Sequence, residues 1–174
     1  MAEAQAAGRS GDAVNAAAVS QSPLGRWILL LVRLGLATVF IVFAIPKIVA
    51  PDLFAGNIFN YQMLPPWAVN LMALVLPWLE LFVGICLAIG VWTRASAVII
   101  AGLMVTFMIA YGSARARGLD IACGCFEVGS QAKPASPVWV LLRDSSFLAA
   151  ALLLARFPAA SPFQLSRRRP ALAP

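Results

Sequence analysis

Four runs of nearly unbroken apolar residues decide most of what this chain can fold into. They read RWILLLVRLGLATVFIVFAIPKIV over 26–49, WAVNLMALVLPWLELFVGICLAIGVW over 67–92, ASAVIIAGLMVTFMIAYGSA over 95–114 and VWVLLRDSSFLAAALLLARF over 138–157. Each is close to the ~20 apolar residues an α-helix needs to cross a bilayer. The chain of 174 residues is 61% hydrophobic and 11% charged, whereas soluble domains are about half apolar and about a quarter charged. Too few polar side chains remain to cover a water-soluble globule. The expected fold is an all-α, integral membrane four-helix bundle.

The flanks differ in composition. Residues 1–25 are rich in Ala, Ser, Gln and Gly and predict a disordered tail. No cleaved signal peptide is expected, because the first apolar run begins only at Trp27 and is long enough to span. A second polar tail follows over 158–174. The fourth run poses a constraint. With Arg143 and Asp144 placed outside the membrane, only 145–157 would remain, too short to cross. That pair belongs in the outer part of the bilayer, neutralising itself or meeting other helices.

The chain has 13 Lys plus Arg against 7 Asp plus Glu. In a membrane chain such an excess reads as positive-inside anchoring rather than as a nucleic-acid surface. Arg9, Arg26, Arg94, Arg156, Arg167, Arg168 and Arg169 flank one end of the predicted bundle, while the first long loop, PDLFAGNIFNYQMLPP, has no Lys or Arg. Arg115, Arg117 and Lys133 of the third loop are offset by Asp120 and Glu127. Both termini are therefore expected in the cytoplasm and both long loops on the opposite, periplasmic side.

Helical spacing sorts the residues within the spans. Arg33, Ala37, Phe40, Ala44 and Lys47 recur at steps of three or four, as do Ala73, Pro77, Glu80, Gly84 and Ala88. Gly102, Thr106 and Ser113 share a face of the third run. Small residues permit close helix approach, so all three faces are expected to point inward and to carry Arg33, Lys47 and Glu80 with them. A charge at bilayer depth costs a few kcal/mol and calls for a partner. Lys47 is the preferred partner of Glu80, with Arg33 as the alternative. These ions either fix helix register or line a polar site beneath the outer face.

Cys123 and Cys125 frame a single glycine in the third loop, within RGLDIACGCFEVG. Disulfide geometry needs Cα atoms roughly 4.4–6.8 Å apart, and Gly124 allows the sharp turn that brings residues two apart into range. So small a ring is strained and suits exchange rather than stapling. Arg115 and Arg117 are close enough in sequence to favour a thiolate. The other readings are a pair of inert surface thiols and a metal site, for which two thiolates supply half of a zinc tetrahedron in a chain with no histidine. Cys86, inside the second span, reads as a small apolar residue.

These segments together resemble the DoxX-like membrane proteins, and most closely their MauE, methylamine-utilisation, branch. The carriers are VRLGLATVFIVFAIPKI with Lys47, FAGNIFNYQMLP, LPWLELFVGICLAIG with Glu80, RGLDIACGCF, and LLRDSSFLAAALLL with Arg143 and Asp144. Glu127 stands where the pattern would carry a glycine. The resemblance implies a four-helix bundle in a bacterial inner membrane that forms or guides disulfides in exported proteins beside a thioredoxin-like partner. On that reading Cys123 and Cys125 are the redox couple, a candidate thiol–disulfide oxidoreductase centre. Lys47, Glu80, Arg115, Arg117, Arg143 and Asp144 are its supporting polar site. A quinone is a candidate electron acceptor, though no motif requires one. A non-catalytic scaffold for the partner and a small-molecule carrier are the alternatives.

Overall fold

A computed structural model describes residues 23–119 and 136–157. They form five helices: α1 Pro23–Val49, α2 Pro51–Asn60, α3 Pro66–Ile89, α4 Thr93–Ala116 and α5 Pro137–Arg156. Strands are absent among the described residues. Four of the helices, all but α2, are long and apolar enough to cross a membrane. The chain is an all-α, multi-pass membrane protein.

The four long helices run up and down. α1 packs chiefly on α3, and α4 on α5. One end of the bundle, the terminal end, holds the start of α1, the α3–α4 turn and the end of α5. The opposite, loop end holds α2, the start of α3, the end of α4 and the start of α5. The α3–α4 turn is short because Gly90 takes a left-handed conformation, φ 83°, and its N–H and that of Val91 both reach back to the Cys86 carbonyl. This satisfies the last carbonyls of α3 and stops the helix. At the other end, Pro137 opens α5 and the Ser136 hydroxyl accepts from the Trp139 N–H at 3.3 Å, a favoured N-cap.

The core explains the sidedness. Leu29, Leu36, Ala37, Phe40, Val83, Leu87, Ala97, Ile100, Met104, Ala151 and Leu154 form one buried cluster across all four spans. α1 and α3 approach closely at Gly84. A methyl added at Gly84 would stand 2.9 Å from Ile41 Cγ1 and 3.4 Å from the Ala37 carbonyl oxygen, so the absence of a side chain sets how closely these helices approach.

The outer surface is the inverse of a soluble protein's. Leu31, Leu71, Leu74, Val98, Ile109 and Leu142 are all exposed, along with many other large apolar residues, a surface suited to lipid tails. Exposed Trp27 and Trp92 lie at the terminal end, and exposed Trp67 and Trp139 at the loop end. Amphipathic indole rings concentrate at membrane–water interfaces. From Trp67 to the end of α3 is about 33 Å at 1.5 Å per residue, against a hydrocarbon core of about 30 Å.

Two of the three expected inward faces are inward. Arg33, Ala37, Phe40, Ala44 and Lys47 are buried, and so are Ala73, Pro77, Glu80 and Gly84, with Ala88 partly so. The third face is a correction: Gly102 and Thr106 are exposed and Ser113 only half-buried. α4 instead buries Ser96, Ala97, Ile100, Ala101, Met104, Tyr111 and Ala114. The reason is that Thr106 satisfies its own hydroxyl on the Gly102 carbonyl at 2.9 Å, so neither residue needs the interior.

Candidate functional site

Two elements place the central ion pair. Side chains on a helix lean toward its N-terminus. In the antiparallel pair of α1 and α3, Lys47 therefore leans down from the loop end while Glu80 leans up toward it. The ammonium meets both carboxylate oxygens, at 2.7 Å to Oε2 and 3.0 Å to Oε1. The two side chains are 2% and 4% exposed. Glu80 is thus paired with Lys47, and Arg33 is not its partner.

Aromatic rings close the pair off. Lys47 Nζ lies 5.1 Å from the centroid of Phe54 and 5.9 Å from that of Phe107, within cation–π range. Phe54 comes from α2 and is itself buried against Ala73 and Leu76. The short helix α2 thus acts as a cover on the loop side of the pair. Sequence spacing did not reveal this role, because a ten-residue helix opening at Pro51 is too short for a helical period to stand out. Val39, Phe40, Phe43, Met104 and Phe107 complete the walls of the small pocket around the two ions.

Phe107 is shared. On its other side lies an apolar cavity of about 310 Å³ between α2, α3 and α4, walled by Ile58, Tyr61, Met63, Leu64, Met72 and Leu76, with Thr106 and Ala110 opposite. Phe107 also packs against the buried cluster of Tyr111 and Val140. Val140 is one turn from the second ion pair, in which Asp144 Oδ1 accepts from Arg143 Nε and Nη2, both at 2.9 Å. Asp144 is buried and Arg143 partly exposed. The charged pair of the fourth span neutralises itself inside the helix.

Arg117 ties the loop end together. Its Nη1 donates to the Gln62 carbonyl at 3.1 Å, its Nη2 to the Tyr61 carbonyl, and its Nε to the Ser113 carbonyl at 3.2 Å. The Ser113 hydroxyl contacts Met63 Sδ at 3.2 Å. The segment between α2 and α3, where Gln62 adopts φ 50°, is thereby fastened to the end of α4. Arg115 is exposed in the last turn of α4. Cys123 and Cys125 lie outside the described residues, on the segment that leaves α4 at the loop end and returns at α5. Cys86 is a buried free thiol in α3.

The chain matches the family model described as methylamine utilisation protein MauE over residues 25–157. It is 38% identical over 129 residues to methylamine utilization protein MauE of Methylorubrum extorquens, covering 71% of this chain and 68% of that protein. Against the Paracoccus denitrificans protein of the same name it is 35% identical over 147 residues, 83% of this chain and 76% of the relative. No solved structure matches the chain.

Proposed function

This chain belongs to the MauE family of methylamine utilisation proteins, and from that premise we propose that it is a thiol–disulfide redox protein of a bacterial inner membrane, working at the periplasmic face. The observation that supports the reading is that the two described ends flanking the Cys123–Gly124–Cys125 segment, the end of α4 and the start of α5, both lie at the loop end of the bundle. That end also carries the Arg117 clamp, and the Lys47–Glu80 and Arg143–Asp144 ion pairs lie beneath it.

In the proposed exchange a thiolate of an exported substrate attacks the Cys123–Cys125 disulfide and forms a mixed disulfide. A second substrate thiolate then displaces it. The substrate loses two electrons and two protons and gains a disulfide; Cys123 and Cys125 become thiols. A thioredoxin-like partner in its disulfide form restores the couple by the same exchange in reverse, and is itself reduced. Methylamine utilisation, the process named for the relatives, sets the context: the substrate is an exported, disulfide-bearing protein of that process. A quinone-type acceptor would be the alternative oxidant of the dithiol, taking its two electrons and two protons, and the apolar cavity beside Phe107 is where it would dock from the lipid phase. On this reading both termini lie in the cytoplasm, in keeping with the positive-inside pattern.

The rigid part of the site then has a separate task. Lys47, Glu80, Phe54 and Phe107 hold α1, α2, α3 and α4 together, and Arg117 fixes the first loop to the end of α4. The trapping experiment is direct. With Cys125 replaced by Ser, Cys123 should accumulate as a mixed disulfide that is released by reductant and identified by mass. Cys86→Ser should leave trapping unchanged. No adduct with either single variant leaves a non-catalytic scaffold as the better reading.

A further inference from the structure

We propose that Arg33 is a binding site for the phosphodiester of an anionic membrane phospholipid at the terminal end of the bundle. Arg33 is 5% exposed, and its Nε and Nη1 are buried without a hydrogen-bond partner. A guanidinium does not shed its charge in a protein, so burial cannot be relieved by deprotonation as it can for a lysine. A buried ion left unpaired is among the costliest arrangements a protein holds. An anion is the partner such a group favours.

The described residues do not supply one. Their carboxylates are Asp52, Glu80 and Asp144. Glu80 is taken by Lys47 and Asp144 by Arg143. Asp52 is exposed in the first turn of α2, at the loop end. The terminal end carries exposed Arg26, Arg94 and Arg156 besides Arg33. Four guanidinium groups therefore share one end of the bundle with no described carboxylate.

The position selects the class of anion. Arg33 leans toward the N-terminus of α1, where exposed Trp27 marks the headgroup level. Arg26 lies two turns below on the same face, about 10 Å along the axis. A phosphate at the lipid headgroup is thus held between an exposed guanidinium and a buried one, while its acyl chains follow the apolar outer surface. Basic pockets between membrane helices bind anionic headgroups in this way, and the excess of positive charge at this end favours a lipid with net negative charge over a zwitterionic one. The proposal is independent of the cysteine chemistry.

The test uses the full chain, purified and delipidated in mild detergent, with bound lipid read by native mass spectrometry and stability by thermal unfolding. Phosphatidylglycerol, phosphatidylcholine and inorganic phosphate are added separately. Wild type should bind phosphatidylglycerol at least several-fold more tightly than phosphatidylcholine, and Arg33→Gln should weaken that binding tenfold or more. Arg26→Gln should cost less. Without lipid, Arg33→Gln should be at least as stable as wild type; with phosphatidylglycerol the order should reverse. Equal binding by wild type and Arg33→Gln, or an equal loss in Arg26→Gln, overturns the site. Stabilisation by inorganic phosphate matching that by the lipid overturns the lipid assignment. Loss of lipid-free stability on combining Glu3→Gln with Asp12→Asn assigns the anion to the chain's own tail and overturns it as well. Should Arg33→Gln fail to fold, Arg33→Met takes its place with the same expected loss of phosphatidylglycerol binding, and equal binding by wild type and Arg33→Met overturns the site.

Discussion

Lys47 of α1 and Glu80 of α3, 33 positions apart in the chain, meet at 2.7 Å in a pocket roofed by Phe54 and Phe107. Each residue makes the other tolerable. Removing one partner from a buried pair typically costs about 3–5 kcal/mol, whereas replacing both by apolar groups is often neutral. Glu80→Leu should therefore accumulate poorly and unfold at lower temperature, as should Lys47→Met, and combining the two should recover most of the loss. Thermal unfolding of the four proteins in one detergent measures the coupling. Additive losses would show that the pair contributes nothing of its own.

Gly84 sets the distance between the same two helices one turn away. A Cβ there meets Ile41 Cγ1 at 2.9 Å and the Ile41 backbone nitrogen at 3.3 Å. Gly84→Val should force α1 and α3 apart and destabilise by about 1–3 kcal/mol, the usual range for overpacking. Gly35, beside which an added Cβ would meet nothing within 4 Å, is the control: Gly35→Ala should match or exceed the parent in stability. Unfolding midpoints of the two variants decide the matter.

Arg117 should matter locally rather than globally. It is exposed, so losing its bonds to the Tyr61 and Gln62 carbonyls should cost about 1 kcal/mol. Amide exchange over residues 61–64 should nonetheless accelerate in Arg117→Gln. Lysine cannot present the same fork to two carbonyls, so Arg117→Lys should exchange almost as fast. Unchanged exchange at that segment in both variants would remove the clamp.

Much of this fold is legible in sequence because membrane burial makes the physics blunt. Length and apolarity fix the four spans. Small and charged residues at helical spacing mark the inner faces of α1 and α3, and the preference for Lys47 over Arg33 follows from depth. α4 misleads because glycine and threonine tolerate either face when the hydroxyl is satisfied within the helix. The roles of Phe54 and Phe107 are invisible at the level of residue type, since an aromatic ring over a cation and an aromatic ring in lipid look the same until the helices are assembled. Arg117 likewise bonds to carbonyls 55 and 56 positions away, partners that carry no side-chain signature.

Topology is testable without purification. With the cysteine segment on the periplasmic side, an impermeant thiol reagent applied to intact cells should label reduced Cys123 and Cys125 and spare a cysteine introduced by Ser10→Cys. Labelling of position 10 and not of the pair would invert the orientation.

The most direct measurement of the proposed chemistry is a redox titration of the purified chain. Protein is equilibrated in buffers of stepped thiol–disulfide potential, alkylated, and its free thiols counted by mass. Cys123 and Cys125 should change state together as a two-electron couple, toward the oxidising end of the range spanned by exchange proteins. Cys86, buried in α3, should stay a thiol at every potential. A pair that remains reduced throughout, or that titrates as two unrelated thiols, contradicts the account.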